Sequence, residues 1–484
     1  MHFIPKEMES HAQENAGVQA LACKLKTTIV SITNSYIQLG KDDPRRVLHS
    51  LKVALAITVV SFIYYSTKLF NQFDLNGIWA VMTVVVVSEF TAGGTLSKVL
   101  NRGFASLLGG ALAFGAHEFG YYIVRKHVGP RFGRRAELIF VGLCIFILVA
   151  GATFTRFFPR IKARYDYGCM IFIMTVSLVG VAGSRVQNDF KVAKERLETV
   201  LMGGAACAII SVFIFPVWAG EELHNSTASN LEKLAKYLEG FGDVYFGPRY
   251  NGKAGKRKEN VSLPLEYKSV LNSKGKEEAL ANFAVWEPWH GRFRFGFNYP
   301  WKQYLKIGNQ ARECACLIEA LNRQINSDIQ PCSEFQAKIK ESCRRMSAQS
   351  GNALRELAIA IKTMTEPYSS TQASLDASKA AIRSLKTALK GVSFETPDLL
   401  AILPAATVAS VLVEVIKCVE KISTSVHELS NLAHFKTLEP LAKELKPVFP
   451  INSVPNDDID LDKIIVIKLV PHPMHNETIP NGHA

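Results

Sequence analysis

The chain has 484 residues, of which 48% are hydrophobic, and its formal net charge at pH 7 is +13. This hydrophobic share is high for a purely soluble protein, and it is unevenly distributed. Residues 47–218 are dominated by Val, Ile, Leu, Phe, Ala and Gly, whereas the chain from Glu221 onward is rich in Lys, Glu, Asn and Ser. We therefore expect an all-α, polytopic membrane protein with a C-terminal cytosolic helical domain.

The first 46 residues predict a cytosolic N-terminal segment. Its opening sequence, MHFIPKEMESHAQENAG, has no apolar core of the kind found in a signal peptide, so the first membrane span must direct insertion. Apolar residues then recur at helical spacing from Leu21 to Leu39. This pattern indicates an amphipathic helix that lies on the membrane or packs on the soluble domain.

Six apolar segments follow, each bounded by charges or turn residues and each close to the about 20 residues with which a helix crosses a bilayer. We predict about six transmembrane helices within residues 47–218, at 47–66, 78–91, 99–117, 137–155, 167–184 and 197–218. The second segment is short unless it tilts or continues into TAGGTLSK. An even number of spans places both termini on one side, which we expect to be the cytosol.

The distribution of charges does not confirm that orientation. The loop between the third and fourth segments would lie outside, yet it is rich in basic residues: Arg125, Lys126, Arg131, Arg134 and Arg135. Either the topology is wrong, or many of the cations in this half serve conduction rather than orientation. We favour conduction.

A basic cluster, TFTRFFPRIKAR, lies between the fourth and fifth segments and contains Arg156, Arg160, Lys162 and Arg164. A charge at membrane depth costs roughly 2.5–3.5 kcal/mol on insertion scales, so such charges are kept where they face a pathway, a partner or the interface. The three arginines are spaced four residues apart, which predicts one helical face. We expect Arg160 and Arg164 to contribute to an anion pathway, with Arg156 as a helix end.

Other basic residues share this character. Lys98 and Arg102 are four residues apart and have no carboxylate at helical spacing, and Arg196 is similarly uncompensated, whereas Asp189 can neutralise Arg185. Rings of such cations select anions, and guanidinium groups bind carboxylates bidentately, so a dicarboxylate is a reasonable permeant beside inorganic anions. The alternative is contact with lipid headgroups, worth about 1 kcal/mol per cation.

Long stretches of the sequence resemble the plant aluminium-activated malate transporter family. They are KDDPRRVLHSLKVALA, WAVMTVVVVSEFTAGGTLSKVLNRGFASLLGGALAFGAH, TFTRFFPRIKARYDYGCMIFIMTVSLVGVAGSR, FPVWAGEELH and WEPWHGRFRFGFNYPWKQYLKIG. The resemblance runs from about Lys41 to beyond Phe435. It implies an anion channel for malate and often chloride, nitrate or sulfate, built as a homodimer with six spans per subunit.

The resemblance also implies which side chains line the pathway. The family's basic positions correspond to Lys98, Arg102, Arg160, Lys162, Arg164, Arg185 and Arg196. Its acidic position corresponds to Glu89, which we expect to pair with Lys98, Arg102 or a cation on another helix. The loop YYIVRKHVGPRFGRRAE is longer and more basic than the family pattern.

The C-terminal half predicts a cytosolic helical domain over residues 219–445, with a basic linker near 246–262 and a disordered tail at 446–484. Helical periodicity marks residues 223–241, 266–285, 301–326, 332–364, 370–389 and 397–433. Residues 399–415 are apolar enough to resemble a seventh span, but Pro404 and Glu414 interrupt them. We expect a buried helix or a subunit contact there.

Several function classes lack support in the sequence. It contains no Walker loop, no HExxH pair and no glycine fingerprint after a strand, so we expect neither an enzyme nor a metal or cofactor site. The nine cysteines do not suggest a disulfide framework. The segment VWEPWHGRFRFGFNYPWKQY mixes tryptophan with arginine, but we expect a packed junction facing the membrane helices and no nucleic acid.

Three questions stay open at this point. A proton-coupled organic-anion exchanger, with Glu89 as the titrating group, and a membrane-anchored scaffold are alternatives to the channel. Aluminium, voltage and cytosolic anions are all possible activators. The sequence also does not separate the plasma membrane from the vacuolar membrane.

Overall fold

A computed structural model describes residues 6–65, 78–125, 133–183, 189–247, 263–288, 290, 299–325, 333–367, 369–390 and 399–437, all within one compact unit that ends at Thr437. Every regular element among these residues is a helix. Arg185, most of the predicted linker at 246–262 and the predicted tail at 446–484 lie outside the described residues. The chain is an all-α protein, as the sequence predicts.

The described residues of the first half form seven α-helices, which we number in chain order. They are α1 (Lys6–Asp42), α2 (Pro44–Tyr65), α3 (Ile78–Val87), α4 (Ala92–Phe119), α5 (Gly133–Thr155), α6 (Pro159–Gly183) and α7 (Asp189–Phe213). A π-helical turn, Gly120–Arg125, extends α4. Helices α2 and α4 to α7 each contain a stretch long and apolar enough to cross a membrane. Their large exposed side chains, such as Phe62, Ile139 and Phe213, form the surface that lipid would contact.

The third predicted span begins earlier than its hydropathy indicates, because the chain breaks between α3 and α4. Thr91 accepts a hydrogen bond from the backbone N–H of Gly94 at 3.2 Å and so caps α4 at Ala92 rather than near residue 99. Helix α3 has only ten residues, about 15 Å of rise. Lys98 and Arg102 therefore lie inside α4, within its first three turns.

Helices α2, α3 and α7 share a small apolar core. It consists of Ala56, Val60, Ala80, Val84, Val87, Cys207 and Ile210. Gly203 allows the close approach of α7 to α3, since a Cβ atom at this position would lie 2.5 Å from the carbonyl oxygen of Ala80. Helix α4 packs on both α6 and α7 and so occupies the middle of this half.

In the second half, the part of the chain that the structure describes also forms seven α-helices. They are α8 (Ala219–Phe246), α9 (Lys268–Leu271), α10 (Lys274–Ala284), α11 (Trp301–Ile325), α12 (Ser333–Thr363), α13 (Ser369–Lys390) and α14 (Leu399–Leu432). We call them the C-terminal helices. Their core is the larger of the two hydrophobic clusters and includes Leu231, Tyr237, Tyr304, Leu354 and Val419, all fully buried. The predicted helix at 266–285 is divided by a turn at Asn272–Ser273.

Helix α14 also contains a stretch long and apolar enough to cross a membrane. Half of that stretch is buried inside the protein, and the helix packs against α11 and α12. Val408, Leu412 and Ile422 lie in the core of the C-terminal helices. These contacts support the expectation of a buried helix over that of a seventh span.

Candidate anion pathway between the membrane helices

The first two basic residues of α4 contact a tyrosine of α6. Nζ of Lys98 lies 5.5 Å from the ring centroid of Tyr167, and Nη1 of Arg102 donates a hydrogen bond to the hydroxyl of Tyr167 at 3.2 Å. Nζ of Lys98 also lies 2.5 Å from Oε1 of Glu89, in the break before α4. Lys98 is thus partly neutralised, whereas no described carboxylate forms an ion pair with Arg102.

Arg196 of α7 is the most isolated cation among the described residues of the site. Only 4% of the residue is exposed, and none of its three guanidinium nitrogens has a hydrogen-bond partner among the described residues. Its central guanidinium carbon lies 4.4 Å from the ring centroid of Trp79 on α3, a cation–π geometry. Arg102 is close enough for the two positive charges to repel each other.

The cluster at the start of α6 has a different environment. Arg160, Lys162 and Arg164 are exposed, and no described carboxylate forms an ion pair with any of them. The amide nitrogen of Asn101 on α4 donates to the carbonyl oxygen of Arg164 at 3.4 Å. This bond places the cluster beside the helix that carries Lys98 and Arg102.

The expectation that Arg156 shares a helical face with Arg160 and Arg164 is wrong. Helix α5 ends at Thr155 and α6 begins at Pro159, so Arg156 lies in the turn between the two helices. Its guanidinium binds Asp166 through two bonds of 2.7 and 3.2 Å. Proline favours the first position of a helix, so Pro159 was a signal that this turn existed.

Three basic side chains therefore lie near one another: Lys98, Arg102 and Arg196. Two aromatic residues contact them, Tyr167 and Trp79. Sequence reasoning did not select Tyr167 or Trp79, because aromatic residues inside a span are ordinarily explained by packing alone. Asn101 was also missed, although a buried amide one residue before Arg102 is a polar signal inside an apolar helix.

The arrangement is suited to a negatively charged ligand. A buried charge without a partner is strongly unfavourable, so an anion that provides a counter-charge to Arg196 would bind with a large electrostatic gain. Two guanidinium groups can also satisfy two carboxylates in the fork geometry that arginine provides. Among the described residues, no group of three or more His, Cys, Asp or Glu side chains is placed to hold a metal ion.

Comparison with known proteins identifies the family. The sequence model described as Aluminium activated malate transporter matches residues 37–396. The chain belongs to the aluminium-activated malate transporter family. Its relatives include aluminum-activated malate transporter 2 of Arabidopsis thaliana, which is 46% identical over 409 residues, 84% of this chain and 79% of the relative. Aluminum-activated malate transporter 1 of Triticum aestivum is 42% identical over 411 residues, 83% of this chain and 85% of the relative.

The aluminium-activated malate transporter match includes all the predicted basic positions and the helices that carry them. It confirms the resemblance stated from the sequence motifs. Together with the apolar helices, membership in this family establishes a multi-pass integral membrane protein. The family is a transporter family and not an enzyme family.

Proposed function

We propose that this protein is an anion channel that conducts malate passively through a pathway lined by basic side chains. The pathway-lining residues of the proposal are Lys98, Arg102, Arg160, Lys162, Arg164, Arg185 and Arg196. The single observation that carries the proposal is the buried guanidinium of Arg196, which has no hydrogen-bond partner among the described residues. Burying an unpaired charge costs free energy, and binding a negatively charged ligand would offset that cost.

Malate is the permeant that best fits both the chemistry and the relatives. The relatives are named malate transporters. A dicarboxylate offers one carboxylate to each of Arg102 and Arg196, and the bidentate pairing of carboxylate with guanidinium gives strong, directional contacts. Chloride, nitrate and sulfate are attracted by the same positive charges but form fewer hydrogen bonds to the guanidinium groups. We therefore include them as secondary permeants.

Passive conduction is favoured over proton-coupled exchange by the environment of Glu89. An exchanger needs a carboxylate at depth that is free to gain and lose a proton. Glu89 instead forms an ion pair with Lys98, with Oε1 2.5 Å from Nζ, so its carboxylate already has a partner within the protein. We therefore assign Glu89 a charge-pairing role and no role in proton transfer.

Assembly and orientation form part of the same proposal. We place both termini and the C-terminal helices in the cytosol, and we expect a homodimer surrounded by lipid. The N-terminal end of α2 supports placing the N-terminus on the same side as the C-terminal helices, because Nη1 of Arg45 lies 2.9 Å from Oε2 of Glu222 on α8. Helix α2 therefore starts on the same side as the C-terminal helices.

The decisive experiment is voltage-clamp recording from cells that express the chain, with malate, chloride or nitrate as the main anion. We expect anion currents whose reversal potential follows the gradient of the permeant anion. A reversal potential that follows the pH gradient would establish exchange instead of channel conduction. An expressed protein at the cell surface without malate-dependent current would point to a scaffold.

A further inference from the structure

A single buried glutamate connects the C-terminal helices to the start of α4. Glu287 lies in the loop after α10, and only 2% of the residue is exposed. Its carboxylate accepts three backbone N–H bonds, from Ala219 at 2.5 Å, from Gly220 at 3.0 Å and from Gly93 at 3.2 Å. Ala219 and Gly220 open α8, whereas Gly93 lies in the first turn of α4. One carboxyl group therefore binds the N-terminal ends of two helices, which favour its negative charge, whereas its nearly complete burial opposes that charge more strongly.

The loop that carries Glu287 contacts the membrane helices in other ways. The ring of Trp286 packs edge-on against Tyr165 of α6, with the ring centroids 6.2 Å apart. His290 stacks on Trp218, the residue directly before α8, with the centroids 3.9 Å apart. Tyr165 is two residues before Tyr167, which binds Arg102. The loop thus contacts α4 and α6, two of the helices whose side chains meet in the candidate pathway.

Close approach at this junction depends on glycine. A Cβ atom at Gly93 would lie 2.5 Å from the carbonyl oxygen of Phe283 and 2.7 Å from Oε1 of Glu287. The first of these atoms is backbone and cannot move aside without shifting α10. The fit of α4 against the C-terminal helices is therefore tight, and a change at Glu287 must be transmitted to α4 or break the contact.

The position of the first turn of α4 affects the basic side chains farther along the same helix. Lys98 and Arg102 follow Gly93 by five and nine residues, about 8 and 14 Å along a helix axis. Because an α-helix is a stiff element, its first turn determines where these two cations lie relative to Tyr167 and Arg196. Residues that hold functional side chains from outside in this way determine how well a site works.

The charge of Glu287 is sensitive to pH in the neutral range. Burial raises its pKa to about 7, the backbone N–H groups of Gly220, Ala219 and Gly93 act in the opposite direction, and the charge of Glu221 on α8 raises it further. Nε2 of His290 lies 3.8 Å from Oε2. Burial lowers the pKa of His290, which is therefore neutral at pH 7. The first turn of α4, Ala92–Thr95, contains no titratable side chain.

We propose that Glu287 is a positioning residue that holds the first turn of α4 in place for anion transport, and that this hold weakens when Glu287 loses its proton. The proposal rests on the anion-channel function proposed above. In the docked state the carboxyl binds its proton more tightly than a free glutamate, whose ordinary pKa is 4.5. Docking is therefore strongest below about 4.5 and weakens as pH rises through about 7.

The electrical test uses excised inside-out membrane patches with malate on both sides, and the cytosolic face is moved from pH 6 to pH 8. The docking equilibrium is expected to weaken about tenfold over this range, so the wild-type malate current falls by up to that factor. Glu287→Gln is neutral at every pH, so its current should not change between pH 6 and pH 8. A current in Glu287→Gln that falls as in wild type would overturn the proposal.

A matched control is Glu277→Gln. Glu277 is also a buried glutamate of the C-terminal helices, but its carboxylate binds Asn230 and Arg312 and forms no hydrogen bond or ion pair with a described residue of α4. This variant should retain the wild-type response to pH. Gly93→Ala disturbs the same contact from the side of α4, and we expect a reduced current at both pH values with a normal amount of protein at the surface.

A second measurement separates failure of this proposal from failure of the channel function. Hydrogen–deuterium exchange of purified protein, corrected for the intrinsic effect of pH, should be faster for amides 92–98 at pH 8 than at pH 6 in wild type. Glu287→Gln should abolish the difference. If no malate current exists but exchange behaves as expected, the channel function fails and the Glu287 contact stands. If exchange in wild type is independent of pH, the Glu287 proposal fails whatever the current shows.

Discussion

The guanidinium of Arg196 lies over the ring of Trp79, with 4.4 Å between its central carbon and the ring centroid, and its nitrogens bind no other described residue. The aromatic face offers partial negative charge without forming a salt bridge. The cation is therefore held in a fixed place while its hydrogen-bond donors stay available. That combination distinguishes Arg196 from Lys98, whose charge is already engaged by Glu89.

Arg196→Gln is expected to lower malate conductance about five- to tenfold. Hydrogen bonds to a charged group contribute about 1.5–3 kcal/mol, against about 0.5–1.5 kcal/mol for neutral groups, and the difference sets this factor. Arg196→Lys keeps the charge but loses the planar stacking on Trp79, so an intermediate conductance is expected. Single-channel recording in symmetrical malate measures both.

Arg323→Gln is the control for this substitution. Arg323 is on α11, its side chain is 77% exposed, and it pairs with Glu319 one helical turn away. Malate conductance should equal that of wild type. Equal conductance of Arg196→Gln and wild type, at equal surface expression, would remove Arg196 from the pathway.

Tyr167→Phe is expected to reduce malate conductance a few-fold. The change removes the hydroxyl that accepts the bond from Arg102 but keeps the ring beneath Lys98. A typical hydrogen bond contributes about 0.5–1.5 kcal/mol, which corresponds to about two- to tenfold. Tyr65→Phe, at the exposed end of α2, is the comparison and should leave the conductance unchanged. A full wild-type current in Tyr167→Phe would show that this tyrosine does not orient Arg102 for transport.

Sequence reasoning located most of the helices and selected Lys98, Arg102 and Arg196, which meet in the candidate site. The predicted helix at 301–326 is α11, and that at 332–364 is α12, because long amphipathic periodicity and clear loop signals define both. The start of α4 was misplaced, because the prediction followed the apolar residues. The helix instead begins at the capping bond of Thr91, which hydropathy does not detect. The partnership of Arg196 with Trp79 joins residues on different helices, and spacing along one helix cannot reveal it.

Asp166→Asn is expected to change malate conductance by less than about twofold. Asp166 binds Arg156 in the turn between α5 and α6, and both side chains are about one-third exposed, so water and salt screen the pair. Arg156 also has its counter-charge within the protein, unlike Arg164. We therefore expect Arg164→Gln to lower conductance more than Asp166→Asn does, measured in the same cells at matched surface levels. The reverse order would place Arg156 in the pathway and Arg164 outside it.

Protonation of Glu222 should make the protein less stable in acid. Burial acts to raise its pKa, but hydrogen bonds from Lys276 and Arg45 outweigh it, so the pKa lies below the ordinary value of 4.5. A lowered pKa stabilises the folded state above about pH 4.5, and this contribution is lost as pH falls through the lower value. Because Arg45 opens α2 and Glu222 lies on α8, losing the Arg45–Glu222 contact separates a membrane helix from the C-terminal helices, whereas the Lys276–Glu222 contact lies within the C-terminal helices.

The thermal midpoint of purified wild type should therefore fall further between pH 7 and pH 4 than that of Glu222→Gln, by roughly 1–2 °C for a partly exposed network of this size. Glu278→Gln is the matched control, because Glu278 forms only an exposed contact with Lys274 one turn away on α10. Its acid response should equal that of wild type. If wild type and Glu222→Gln lose the same number of degrees, the Arg45–Glu222–Lys276 network does not stabilise the junction.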